Sequence, residues 1–289
     1  MATVEAAKSQ LFRSEIGSGQ AVVFVHGIPT DYRAWESVMA AFPTGFRAVS
    51  YSRRYAYPNR RDGDVRDSTI ENNASDLAEL IGALGIAPVH LVGHSYGGFI
   101  AAFLAANQGR LLKSLTLVEP AIGSLLLRNP RNRGEALALL FRRPATALSA
   151  SRFLRQFNAP SLEALARGDG ERAVRFNVDG VEDREGAFDQ LAEGSRRMML
   201  DNARTVREVD LPYPPLTRTE LGQIRVPTLV VSGQTSALWL RTIGEITAKA
   251  IPGARRVTIS NTGHYPHLQH AGEFTSRLIS FIQGPSTRA

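Results

Sequence analysis

The chain has 289 residues, of which 43% are hydrophobic and 21% are charged. This composition is that of a globular protein and excludes a disordered chain, a fibre and a coiled coil. No apolar stretch approaches the roughly 18 residues that a transmembrane helix needs, and the absence of cysteine excludes disulfide bonds, thiolate metal sites and a cysteine nucleophile. The opening residues show no secretory signal, so we expect a soluble cytoplasmic protein that does not bind membranes.

The net charge of +7 comes from arginines that are scattered among acidic residues along the chain. A phosphate-binding surface normally shows a basic run or stripe, whereas the longest basic clusters here are pairs such as Arg142-Arg143. We therefore expect the basic residues to form a solvated surface and predict no nucleic-acid partner.

Short apolar runs alternate with amphipathic stretches in the first 120 residues. The runs predict buried strands, and the stretches, in which apolar residues recur every three or four positions, predict helices. The predicted strands are 21–25, 47–51, 89–92 and 115–118, and the predicted helices are 31–42, 68–84 and 99–107. A capping box at Ser68-Thr69-Ile70-Glu71 marks the start of the second helix.

The pattern changes after Pro120, where strand signals stop. Residues 121–222 contain predicted helices at 135–142, 145–157 and 188–209 and no predicted strand. Alternation then resumes, with predicted strands at 227–231 and 256–259 and predicted helices at 238–251 and 274–282. This order predicts an α/β fold with a doubly wound, mostly parallel sheet. We expect residues 1–120 and 223–289 to form this core and residues 121–222 to form an inserted helical cap.

The strongest local motif is Gly93-His94-Ser95-Tyr96-Gly97, a G-x-S-x-G sequence between a predicted strand and a predicted helix. A sharp strand-to-helix turn strains the backbone of its central residue and brings the two elements too close for a Cβ atom, which explains the flanking glycines. The turn would expose the Ser95 hydroxyl as a nucleophile. It would also leave the backbone N–H of Tyr96 free at a helix N-terminus, where an oxyanion can bind.

A second motif, His26-Gly27-Ile28-Pro29, follows the first buried strand and precedes a helix. The backbone N–H of Ile28 would there be a second oxyanion donor beside that of Tyr96. Together and in this order, from about Gln20 to Phe281, the motifs resemble the α/β-hydrolase superfamily, in particular the branch with an HGxP oxyanion loop and a helical cap. Haloalkane dehalogenases and epoxide hydrolases of that branch use an aspartate nucleophile. Ser95 stands at that position here, so the resemblance implies a serine acyl hydrolase.

The resemblance places the catalytic base at His264, in a loop between the last predicted strand and the last predicted helix. The other histidines fit this role less well, since His26 and His94 belong to the two motifs and His90 begins a predicted strand. His267 and His270 are three residues apart, but two histidines without a third ligand are a weak metal signal. We therefore predict surface or supporting roles for them and no bound metal.

The acidic partner of the histidine departs from the common pattern. Relatives often carry an aspartate in a G-x-x-D loop, and the matching residue here is Ser236, which has no charge to hold an imidazolium. Some members of the superfamily, among them certain dehalogenases and zearalenone lactonases, take the acid from the end of the strand after the nucleophile helix. Glu119 occupies that place, and we predict it to be the orienting acid. Asp31 is a second candidate, which we expect to cap the helix that begins there.

These residues predict an enzyme that hydrolyses an ester or lactone through an acyl-enzyme on Ser95 and needs no cofactor. Apolar cap residues and a core tryptophan indicate a small, mainly hydrophobic substrate, although they also fit simple packing of the cap on the core. The apolar side chains in question are Phe188, Met198, Met199 and Tyr213 in the predicted cap and Trp239 in the core. A carbon–carbon bond hydrolase, a cofactor-independent oxygenase or cyclase, and a ligand receptor with a slow triad are alternatives on the same fold. The sequence does not identify the substrate, and it is compatible with a homodimer.

Overall fold

An eight-stranded sheet lies at the centre of the computed structural model, which describes residues 2–6, 9–59, 63–129 and 132–284. The strands are β1 (Ala2–Ala6), β2 (Ser9–Gly17), β3 (Gly19–Val25), β4 (Gly45–Tyr51), β5 (Val89–His94), β6 (Leu112–Val118), β7 (Thr228–Gly233) and β8 (Arg255–Ile259). Their spatial order is β1-β2-β4-β3-β5-β6-β7-β8, and every neighbouring pair from β4 onward is parallel. The predicted doubly wound, mostly parallel sheet is confirmed.

Helices connect the parallel strands and form the segment between β6 and β7. They are α1 (Glu36–Ala40), α2 (Ile70–Ala83), α3 (Tyr96–Gln108), α4 (Arg133–Arg142), α5 (Pro144–Arg152), α6 (Ala159–Ala166), α7 (Gly170–Glu182), α8 (Glu193–Asp201), α9 (Arg218–Leu221), α10 (Leu238–Ala250), α11 (Pro266–Gln269) and α12 (Ala271–Gln283). A π-helical turn at Phe153–Asn158 joins α5 to α6. Within the part of the chain that the structure describes, no helix has the length and apolar character to cross a bilayer.

The two amino-terminal strands lie outside the predicted elements. β2 pairs antiparallel with β4, with Arg13 opposite Tyr51, and β1 pairs antiparallel with β2. Of the β2 side chains that the structure describes, Leu11 alone is buried. β2 is therefore held by backbone pairing with β1 and β4, and it lacks the apolar run that makes a buried strand visible in sequence.

The central strands are buried on both faces. β5 is buried along its whole length, and β3 is buried from residue 21 to residue 25. One face of the sheet packs against α2 and α3, and the other packs against α1 and α12. Strands covered on both sides are continuous apolar runs, which is why the sequence predicts them well. The carboxyl ends of β3, β5, β6 and β7 share one edge of the sheet, where loops of an open α/β fold form ligand sites.

The segment between β6 and β7 contains α4 to α9 and no strand in its described residues. α6 and α7 lie outside the predicted helices, since Pro160, Gly170 and Gly180 weaken the helical signal there. The predicted helix at 188–209 is wrong as a single element, because a 3₁₀ turn, α8 and a 3₁₀ segment at Ala203–Asp210 replace it. Apolar side chains of α7 and α8 pack in one cluster with Ile28 and with α10 of the core.

Candidate active site

The nucleophile motif forms a sharp turn between β5 and α3. Ser95 has a φ of 52° and a ψ of −116°, a strained conformation for a residue other than glycine. Its N–H donates to the carbonyl of Val118 at 2.9 Å. A Cβ on Gly93 would lie 2.4 Å from the carbonyl oxygen of Gly97, and a Cβ on Gly97 would lie 2.4 Å from that of Val25. Both glycines are therefore required by the close approach of strand and helix.

The oxyanion loop meets this turn at Gly27. A Cβ there would lie 2.9 Å from the Cβ of Ser95, so a glycine is needed for the loop to reach the serine. The N–H and the hydroxyl of Thr30 both donate to the Gly27 carbonyl, which closes the loop into a tight turn. Within the described part of the chain, the N–H groups of Ile28 and Tyr96 donate to no protein acceptor. Tyr96 is the first residue of α3, where an N–H has no partner inside the helix.

His264 and Glu119 are hydrogen-bonded across 145 residues of sequence. Nδ1 of His264 is 3.3 Å from Oε2 of Glu119, and both side chains are 1% exposed. Glu119 follows β6 with a φ of 48°, so the chain turns sharply at this residue. Its carboxylate also accepts from the N–H of Gly233 at 2.7 Å and from the hydroxyl of Ser236 at 2.5 Å. The structure thus brings the predicted acid and the predicted base together.

Burial governs the protonation of this pair. Desolvation raises the pKa of Glu119 to about 7, although the hydrogen bonds from Ser236 and Gly233 act in the opposite direction. Desolvation also lowers the pKa of His264 to about 3. The second shift keeps the imidazole unprotonated at neutral pH, which is the form that can accept a proton from a hydroxyl group.

Ser236 stands where the superfamily commonly places its aspartate. It is buried, and its hydroxyl donates to the same Glu119 oxygen that faces His264. A neutral donor at this position favours a nearby glutamate, whereas an aspartate would repel it. Ser236 is therefore a hydrogen-bond donor to the predicted acid, which comes from the neighbouring strand β6.

Ser95 and His264 are not hydrogen-bonded to each other. Nε2 of His264 is buried and has no hydrogen-bond partner among the residues that the structure describes. Since Nδ1 faces Glu119, Nε2 is the nitrogen left for proton transfer. Hydrogen bonds between a nucleophile and its base are often long before a substrate binds. The missing hydrogen bond is therefore compatible with Ser95 as the predicted nucleophile and His264 as the predicted base.

A cluster of buried aromatic rings lies beside the base. Nε2 of His94 is 2.8 Å from the carbonyl oxygen of His264, and the two ring centroids are 4.8 Å apart. His267 stacks on Trp35 at 4.4 Å and lies 4.4 Å from His94. His267 is 0% exposed, so the surface position predicted as one alternative is wrong. Burial lowers the pKa of His94 and of His267, and both rings pack in their neutral form.

A buried ion pair joins the oxyanion loop to the helical segment, that is, the residues between β6 and β7. Nη1 of Arg53 is 2.8 Å from Oε2 of Glu208, and both side chains are fully buried. Nε of Arg53 donates to the His26 carbonyl at 3.1 Å, and its guanidinium lies 4.9 Å from the ring centroid of Tyr96. Ser68 donates to the other oxygen of Glu208 at 2.6 Å. No local pattern predicts this pair, because its members are 155 residues apart.

The helix start at Ser68 is a correction to the predicted capping box. The N-cap of α2 is Thr69, whose hydroxyl accepts the N–H of Asn72 at 3.2 Å. Ser68 precedes this N-cap, and its hydroxyl donates to Glu208 instead of capping the helix. The second acid candidate behaves as expected, since Asp31 caps the 3₁₀ turn at Tyr32–Trp35.

A cavity of about 630 Å³ lies over Ser95. Ile28 and Tyr96 also border it, so these two residues and Ser95 surround the same space. The wall is mainly apolar and includes Phe99, Leu126, Leu127, Phe153, Leu154 and Leu211. Of the hydrophobic residues singled out in the sequence, Tyr213 and Trp239 line the cavity. The other three, Phe188, Met198 and Met199, are buried in the packing clusters instead.

Comparison with known proteins agrees with this architecture. Residues 22–277 match the model of the alpha/beta hydrolase family. The chain is 21% identical to 3-oxoadipate enol-lactonase 1 of Acinetobacter baylyi over 263 residues, which cover 91% of this chain and 88% of the lactonase. It is 24% identical to a non-heme haloperoxidase of Rhodococcus erythropolis, with 95% and 96% of the two chains covered. The carboxylesterase CesB of Bacillus subtilis superposes with a TM-score of 0.73 at 16% identity, covering 97% of this chain and 90% of the esterase. Because the family model spans most of its length, the chain belongs to the alpha/beta hydrolase family.

Proposed function

We propose that this protein hydrolyses a carboxylic ester or a lactone through an acyl-enzyme on Ser95. The observation that carries the proposal is the strained Ser95 turn at the wall of a 630 Å³ cavity, beside two backbone N–H groups that have no acceptor among the described residues. The buried pair of His264 and Glu119 offers a base and an orienting acid next to the turn. An enol-lactonase and a carboxylesterase among the similar proteins agree with acyl chemistry.

Acylation begins when Nε2 of His264 accepts the proton of the Ser95 hydroxyl as Oγ bonds to the carbonyl carbon. The carbonyl π electrons move to oxygen, and the N–H groups of Ile28 and Tyr96 stabilise the resulting oxyanion, each by roughly 3 kcal/mol. The oxyanion then collapses, the C–O bond breaks, and the imidazolium gives its proton to the leaving alkoxide. Glu119 holds the proton on Nδ1 and stabilises the ring while it is charged.

Deacylation repeats these steps with water in place of the serine hydroxyl. His264 takes a proton from water, the hydroxide oxygen bonds to the acyl carbon, and the Ser95 oxygen leaves with the proton that the imidazolium returns. An ester yields an acid and an alcohol. A lactone yields a single hydroxy acid, because its alkoxide stays attached to the acyl group.

We assign residues 121–222 as a cap that covers the site and shapes the substrate. The cavity has one wall from this segment, which includes Phe153 and Tyr213, and another from the core, which includes Phe99 and Trp239. A mainly apolar wall that also includes polar side chains such as Asn158 and Asn177 favours a small, mainly hydrophobic ester or lactone. The core of residues 1–120 and 223–289 then carries all three predicted catalytic side chains.

A p-nitrophenyl ester with a short acyl chain and a fluorophosphonate probe test the proposal. We expect the wild-type protein to release nitrophenolate and to gain one phosphonyl group on Ser95, detected by intact mass and peptide mapping. Ser95→Ala should lose roughly 10⁴-fold or more in kcat and should take up no probe. Ser232→Ala is a matched control, since it removes a buried hydroxyl without a hydrogen-bond partner among the described residues.

Undiminished nitrophenolate release by Ser95→Ala would refute the serine mechanism. Labelling of Ser95 without turnover of any ester or lactone would instead favour a carbon–carbon bond hydrolase, whose substrate is a vinylogous diketone. Oxygen consumption measured in the same samples separates a cofactor-independent oxygenase from both.

A further inference from the structure

The loop that carries His264 is held from two sides. From the core, the N–H of Thr235 donates to the carbonyl of Thr262 at 2.8 Å. From the helical segment, Glu182 reaches the same loop, and its Oε1 accepts the backbone N–H of His264 at 3.0 Å. A residue of the helical segment therefore touches the main chain of the predicted base.

Glu182 is the last residue of α7 and is 7% exposed. Its Oε1 also accepts from Nε2 of Gln269 at 3.1 Å, while Oε1 of Gln269 accepts the N–H of Gly263 at 2.8 Å. A Cβ on Gly263 would lie 1.6 Å from Oε2 of Glu182. The loop before His264 thus has a recess that fits this carboxylate, and a glycine is needed to leave it open.

We propose that Glu182 is a positioning residue, which fixes the main chain of His264 and so holds the imidazole against Glu119. The inference rests on the proposed serine hydrolase function. A displacement of about 1 Å in a catalytic group can lower a rate roughly 100-fold, so a hydrogen bond to the main chain of the base has a direct effect on kcat.

The chemistry of the contact supports a positioning role over simple packing. Burial raises the pKa of Glu182 to about 7, because the ionised carboxylate is poorly solvated in this place. An apolar side chain of similar volume would join the two layers without that penalty. What an apolar side chain does not offer is an acceptor for the N–H of His264.

The geometry also predicts which replacement is tolerated. The N–H of His264 and Nε2 of Gln269 both donate to Oε1 of Glu182. A glutamine at position 182 can accept both hydrogen bonds through its carbonyl oxygen, while its amide nitrogen takes the place of Oε2. We therefore expect Glu182→Gln to function. Glu182→Ala leaves the N–H of His264 without its acceptor.

Steady-state kinetics on a p-nitrophenyl ester test the proposal, with enzyme concentration set by fluorophosphonate titration. Glu182→Ala should lower kcat by about 10- to 100-fold with little change in KM, and Glu182→Gln should stay within about threefold of the wild type. Gly263→Ala should lower kcat similarly, since its methyl group displaces the carboxylate. The double variant Glu182→Ala/Gly263→Ala should be no worse than either single variant, because the methyl group then meets no carboxylate.

Ser161→Ala is the matched control for loss of stability in the helical segment. Ser161 is buried in α6 and donates to the Ala173 carbonyl at 2.6 Å, away from the site. We expect it to lower Tm without lowering kcat. A kcat for Glu182→Ala within twofold of the wild type, or fully additive losses in the double variant, would overturn the proposal.

Hydrogen–deuterium exchange separates this inference from the proposed function. The peptide that contains His264 should exchange faster in Glu182→Ala than in the wild type and at an unchanged rate in Glu182→Gln. Unchanged exchange in Glu182→Ala refutes the positioning role even in an enzyme with no ester activity. Absent turnover and absent probe labelling in the wild type would refute the proposed function alone.

Discussion

Removal of the predicted acid gives the sharpest test of how the site works. Glu119→Gln keeps the size of the side chain but removes the charge that faces His264. At the observed 3.3 Å, two unit charges interact by about 5 kcal/mol at an effective dielectric constant of about 20. Because each 1.36 kcal/mol is about tenfold in rate, the upper limit of the loss is roughly 5,000-fold. We expect kcat to fall about 1,000-fold, since the glutamine carbonyl can still accept from Nδ1.

A carboxylate at the common position should restore part of this loss. The Oγ of Ser236 is 2.5 Å from the Glu119 oxygen that faces His264, so Ser236→Asp brings a carboxylate close to the same place. In the Glu119→Gln background, Ser236→Asp should raise kcat by about tenfold or more. In the wild-type background it places two carboxylates together and should lower both Tm and activity.

Initial rates on a nitrophenyl ester, corrected by phosphonate titration of active enzyme, measure these effects. Ser236→Ala controls for loss of the serine hydroxyl, and circular dichroism checks that each variant is folded. An undiminished kcat in Glu119→Gln would show that Glu119 does not orient the base. A full loss in Glu119→Gln that Ser236→Asp fails to relieve would show that the two positions do not serve the same ring nitrogen.

Acidic pH, the buried ion pair and the turn glycine give three further tests. Since burial raises the pKa of Glu119 to about 7, kcat/KM should fall as the pH drops through that value, and this limb should vanish in Glu119→Gln. A flat profile from about pH 6 to 8 in the wild type would contradict the assignment. Arg53→Met leaves Glu208 without its buried partner and should lower the free energy of unfolding by roughly 3 kcal/mol in urea, whereas Arg53→Met/Glu208→Leu should recover most of it; additive losses would argue against the pairing. Gly97→Ala, whose Cβ would lie 2.4 Å from a carbonyl oxygen, should lose about 3 kcal/mol or more, while Gly82→Ala, with no atom within 4 Å, should be neutral or stabilising in the same assay.

A strand or helix was predictable from the sequence where one apolar run, or one apolar face of a helix, is enough to specify it. β3 and β5 are covered on both sides, so their sequences are continuous apolar runs. β2 lies between the edge strand β1 and β4 and has one buried side chain among those described, so its pairing depends on backbone groups that every sequence has. α7 was not predictable in the same way, since two glycines weaken it and packing on the core stabilises it.

By itself, the sequence predicted the strands β3 to β8, most of the helices that flank them, the sharp turn at Ser95 and the loop at residues 26–29, because each depends on residues that are adjacent in the chain. The resemblance to the α/β-hydrolase superfamily also singled out Glu119, because some members take their acid from this strand end. Only the tertiary structure decided that Glu119 contacts His264, that Arg53 pairs with Glu208, and that Glu182 accepts the N–H of His264. The members of these pairs are 82 to 155 residues apart, and they meet because the sheet and the helical segment pack together. Such contacts follow from the packing of whole layers, which no local pattern of residues specifies.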